Sequence, residues 1–141
     1  MSEKIWMGAI FLKDEGGYEI LLKSLRHYER RLKTLANSPE LKDAAAMFAS
    51  VLNQQARKTV PEIEETIHRI EDSLTDVRLT KNLEKDVQFF EKALTCYESD
   101  IEKARDIGHE YFVKLVGDME EAQRDLSTIK IALEKLRQYS E

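Results

Sequence analysis

Two long series of apolar residues at alternating steps of three and four constrain this chain more than any other feature. Val60, Ile63, Ile67, Ile70, Leu74 and Val77 form the first. Leu83, Val87, Phe90, Leu94, Tyr97, Ile101, Ala104, Gly108, Tyr111 and Leu115 form the second. A 3-4 step keeps side chains on one face of an α-helix, and its repetition over many turns is the seam of a coiled coil or long helical bundle. The residues between, such as Glu64-Glu65-Thr66 and His68-Arg69, are almost wholly polar. A strand would need an alternation of period two, and the apolar run Ile5 to Leu12 is the one candidate for it.

Local punctuation divides the rest of the chain. Gly16-Gly17 is a break, after which Leu21, Leu22, Leu25, Tyr28, Leu32 and Leu35 share one face of a first helix over about 18–37. Ser38-Pro39 reads as a restart, with serine as N-cap and proline in the first helical position. The second helix spans about 39–77 and turns Leu41, Ala45, Phe48 and Leu52 inward. Pro61 falls inside it. Thr59 with Glu62 three residues on matches a capping box, so Pro61 marks either a fresh start or a kink in one helix.

A tight turn within 76–82 precedes a third helix over about 80–116. Gly117-Asp118, followed by Glu121, is either a turn or a stutter before a fourth helix over about 118–139. The expected fold class is all-α: an antiparallel, coiled-coil-like bundle of about four helices in short-long-long-short order. Residues 1–17 read as an apolar N-terminal arm and 18–141 as a single helical-bundle domain. Long central helices with short flanking ones leave apolar seam uncovered, and a second copy is the economical cover, so a homodimer is expected.

Composition removes several function classes. The lone cysteine, Cys96, excludes an intrachain disulfide and any all-thiolate zinc or iron–sulfur site, and it fits a reducing, cytoplasmic location. A net charge of -5, from 27 acids against 22 bases, argues against nucleic acid as a partner. The Ile5–Leu12 run is too short to span a bilayer, and Glu3 before it does not suit a secretory signal.

Candidate chemistry is sparse. Glu65 and His68 have the Glu-x-x-His spacing of di-iron carboxylate bundles, and Asp106 with His109 is a looser version. Such ligands must face inward. Ile63 and Ile67 already take that face, so all four residues are expected at the surface and no metal is expected. Cys96 stands one step off the third-helix seam with no histidine near it in sequence. Lys23, Arg26, Arg30, Arg31 and Lys33 cluster on the first helix around His27, the best local candidate for an anion- or partner-binding face. No phosphate loop, Walker lysine, HExxH or dinucleotide fingerprint occurs, so neither a cofactor nor a catalytic residue is assigned. The leading expectation is a non-enzymatic helical protein acting through protein–protein interaction or self-assembly. A ferritin-like metal- or ligand-binding bundle is one alternative. An adaptor that binds nucleic acid or an acidic partner through the basic first helix is the other.

Overall fold

The first helix carries two buried stripes, and this decides how the chain packs. In the computed structural model, which describes residues 16–35, 38–39, 46–76, 83 and 85–140, the helices are α1 (Tyr18–Lys33), α2 (Ala46–Thr75), α3 (Val87–Asp106), α4 (Glu110–Val116) and α5 (Met119–Ser140). The protein is an all-α helical bundle, with no strand among the described residues. One stripe of α1 is the expected apolar one, with Leu21, Leu25 and Leu35 buried. The other is Ile20, Ser24, His27 and Arg31, also buried, at steps of four, three and four. A helix with two buried stripes must sit between neighbours, and α1 packs against both α2 and α3.

The helix directions follow from which residues meet. Lys33 near the end of α1 faces Glu64 of α2 at 3.8 Å, and Arg26, one helical half earlier, shares a groove with His68. The two helices are therefore antiparallel. The His27 ring lies 4.7 Å from that of Tyr97, and Arg31, one turn on, reaches Asp100, so α1 and α3 ascend together. Arg69 of α2 pairs with Asp86, just before α3, at 3.0 Å, and residues 62–69 share a groove with residues 85–92, so α2 and α3 also run antiparallel. Helix α1 packs more closely than α3 on α2, and α5 lies along the other side of α3. The α3 seam behaves as its spacing predicts: Leu83, Val87, Phe90, Leu94, Tyr97, Ile101 and Ala104 are all buried.

The expected 80–116 helix is broken. Gly108 is exposed and left-handed at φ 68 rather than packed in the seam, a conformation cheap only without a Cβ. His109 then takes an extended backbone and caps α4, its Nδ1 accepting from the Tyr111 N–H at 3.1 Å. Gly117-Asp118 is a turn. Gly117 has φ 79, and Asp118 Oδ1 accepts from the N–H groups of Glu120 at 2.9 Å and Glu121 at 3.3 Å.

Pro61 does not break α2, which runs continuously through it with the ring facing solvent. The Thr59 hydroxyl caps nothing; it donates back to the Gln55 carbonyl at 2.9 Å. Phe48 is another correction: its side chain is 58% exposed rather than inward. Helix α1 ends at Lys33, and Leu35 packs on Leu52 and Ala56, so among the described residues the stretch 46–51 of α2 extends past the end of α1. The N-terminal run at 5–12, Leu41, Ala45 and the expected turn at 77–82 lie outside the described residues. No helix among the described residues is long and apolar enough to cross a membrane.

Candidate functional site

The second stripe of α1 meets a matching stripe on α3: Ala93, Tyr97, Asp100 and Ala104, also at steps of four, three and four. Small alanines at its ends let the two helices approach, and the polar residues between are forced together. His27 is fully buried and Asp100 nearly so. Their contact, Nε2 to Oδ2, is 2.8 Å. Arg31, one turn beyond His27, brings Nε to 3.2 Å from the same carboxylate oxygen. A lone carboxylate in this position would cost several kcal/mol, roughly, in desolvation; an imidazole and a guanidinium offset that cost.

Aromatic rings close the cluster. The His27 and Tyr97 rings lie 4.7 Å apart. The Arg31 guanidinium sits 5.3 Å from the Phe112 ring centre and 5.4 Å from that of Tyr111, a cation–π arrangement supplied by α4. The Tyr111 hydroxyl also pairs with Thr34 Oγ1 at 2.9 Å. The short helix after Gly108 thus covers the end of the polar cluster. Cys96, one turn before Asp100, holds Sγ 3.7 Å from Asp100 Oδ2. Burial first, then the neighbouring carboxylate, pushes the Cys96 thiol up to about 12. Two buried polar atoms, Ser24 Oγ and His27 Nδ1, have no hydrogen-bond partner among the described residues.

A second polar layer lies toward α5. The Tyr97 hydroxyl donates to Asp125 Oδ2 at 2.8 Å, and Lys23 Nζ reaches the same oxygen at 2.6 Å while also pairing with Glu121. Burial pushes the Tyr97 hydroxyl well above its ordinary range, and the bond to Asp125 adds to the shift. Burial pulls the Lys23 ammonium down, but Asp125 and Glu121 more than reverse this.

The expected basic face of α1 is smaller than its sequence. Arg31 is inside the bundle, a correction that follows from the second stripe. Lys23 is held by Asp125 and Glu121, and Lys33 by Glu29 at 3.0 Å and Glu64. Arg26 and Arg30 remain, exposed and without an ionic partner among the described residues. Arg30 borders a groove of about 520 Å³ with Thr34, His109 and Lys114.

The ferritin-like set does not converge. Glu65 and His68 point to solvent, in long contacts with Arg69 at 3.9 Å and Glu71 at 4.0 Å. Asp106 pairs with its neighbour Arg105 at 2.8 Å, and His109 is an exposed helix cap. Among the described residues, the group of metal-ligating side chains that does come together is His27, Cys96 and Asp100, with donor atoms all within 4.8 Å of one another. Sequence spacing missed it because His27 and Asp100 are 73 positions apart. The signal that could have found it is the pair of 4-3-4 stripes, each with a polar residue at a core position. No protein-family model, curated protein or solved structure matches the chain.

Proposed function

We propose that this chain is a non-enzymatic protein-interaction module that self-associates through the projecting end of α2. One observation carries this reading: Met47, Phe48 and Val51 are 82%, 58% and 47% exposed on the first turns of that helix. Residues 46–56 contain no Asp, Glu, Lys or Arg, in a chain that is 35% charged. A second copy suits this surface. The net charge of -5 makes most faces of the molecule repel their own copies, whereas this face brings no charges together. Each large apolar side chain contributes roughly 1.5–3 kcal/mol when fully buried, so covering these three on each copy works in favour of association.

Sedimentation equilibrium of the full chain tests this. The wild type is expected to dimerise at micromolar concentration, and Phe48→Glu with Val51→Glu to be monomeric with unchanged helical circular dichroism. A wild type that stays monomeric to about 100 μM overturns the reading. A second reading rests on Arg26 and Arg30, exposed bases of α1 without an ionic partner among the described residues and beside an open groove: docking of an acidic protein partner. Binding that vanishes on Arg26→Glu with Arg30→Glu and survives the α2 substitutions favours it.

A further inference from the structure

We propose that His27, Cys96 and Asp100 form a binding site for one divalent ion of the zinc class, held between α1 and α3. Cys96 and Asp100 are four apart on one helix, so their donors share a face, and His27 approaches from the facing helix. Imidazole, thiolate and carboxylate together suit a borderline-soft ion that accepts tetrahedral geometry. Metal bonds of about 2.0–2.3 Å place neighbouring donors about 3.3–3.6 Å apart. The separation of Cys96 Sγ and Asp100 Oδ2, 3.7 Å, lies just above that range. His27 Nε2 and Asp100 Oδ2, at 2.8 Å, must part by about half an ångström, within reach of a small χ rotation.

The surroundings supply a route and a charge balance. Cys96 also lines an open groove of about 670 Å³ with Tyr28, Gln88, Glu91 and Ser99, so an ion can enter from solvent on the cysteine side. A water from that groove completes four-coordination. Binding releases the thiol proton to solvent, and the His27 proton shifts from Nε2, where it bonds Asp100, to Nδ1, which has no other partner among the described residues; the thiolate and carboxylate then match the two positive charges of the ion. Arg31 bonds Oδ2 of Asp100 and has the second carboxylate oxygen to turn to, becoming a supporting contact behind the ligand. Its positive charge lowers the affinity below that of a structural zinc site. The ligands differ wholly from the Glu65, His68, Asp106 and His109 set, and the site is independent of the α2 contact.

Cobalt titration of the reduced full chain reads the site directly. One equivalent of Co2+ is expected to bind, with a thiolate-to-cobalt charge-transfer band in the near ultraviolet and the visible bands of four-coordinate cobalt, and added Zn2+ to abolish both. Cys96→Ser, which keeps the packing volume, is expected to remove the thiolate band and weaken binding by at least about a hundredfold, the upper end of what losing even a supporting contact costs. His27→Gln is expected to weaken binding similarly, and its circular dichroism separates loss of a ligand from loss of fold. No thiolate band at cobalt concentrations on the order of 1 mM overturns the proposal, as does a spectrum unchanged by Cys96→Ser.

Discussion

Asp100 Oδ2 lies 2.8 Å from His27 Nε2 and 3.2 Å from Arg31 Nε, so one carboxylate oxygen of α3 ties down two successive turns of α1. This contact holds the two helices in register. Removing the carboxylate leaves Arg31 charged inside the bundle. Asp100→Ala is expected to destabilise the fold by about 3–5 kcal/mol, and Asp100→Asn, which keeps a hydrogen-bond acceptor, by less. Urea denaturation followed by circular dichroism measures both, and a loss under about 1 kcal/mol for Asp100→Ala would show that the cluster is not holding the helices.

Stability is expected to fall at alkaline pH. Burial raises the Cys96 thiol from 9.0 to about 12, with Asp100 adding to it. Burial also raises the Tyr97 and Tyr28 hydroxyls above 10.0, helped by Asp125 at Tyr97 and by Cys96 at Tyr28. The unfolded chain therefore releases these protons at lower pH than the folded chain. The stabilisation is fully present below pH 9.0 and is lost as the pH climbs toward about 12. Each proton involved contributes a slope of about 1.4 kcal/mol per pH unit. Denaturation with chelator present, at about pH 8 and about pH 11, measures the loss, and Tyr97→Phe is expected to flatten it. Equal stability at the two pH values would refute the expectation.

The two turns on either side of α4 depend on glycine for backbone reasons alone. A Cβ at Gly108 or Gly117 meets nothing within 4 Å, yet both residues have positive φ. Gly108→Ala and Gly117→Ala are each expected to cost about 1–2 kcal/mol in thermal or chemical denaturation. Asn at Gly108 is expected to cost less than Ala, whereas at Gly117, whose ψ of -118 lies outside the left-handed helical well, Asn is expected to bring no such relief.

Much of the helical architecture is legible in the chain. From Leu83 to Ala104 the 3-4 step repeats without exception, and each of those residues is buried. Gly108 continues the same step but turns the chain instead, because periodicity records a side chain's face and says nothing of a residue without one. Phe48 follows the apolar pattern of α2 but stays exposed, since among the described residues α1 ends short of it. The polar cluster is the least legible part. His27 and Arg31 look like members of a solvated basic face until Asp100 is placed opposite them. Burial of a charge depends on a partner in another helix, and spacing within one helix does not contain that partner.

Pro61 gives α2 two mechanical characters within one unbroken rod. The proline offers no N–H to the carbonyl four residues before it, so the ladder of backbone bonds has a missing rung there. Beyond it, Ile63, Thr66, Ile70 and Ser73 lock the helix to the bundle; before it, Ala56 is the buried anchor. Local opening of residues 46–60 would therefore meet a natural stopping point at the proline, with the half anchored beyond it keeping its shape. For the proposed self-association, such opening would withdraw and restore the surface of Met47, Phe48 and Val51 without unfolding the molecule that carries it.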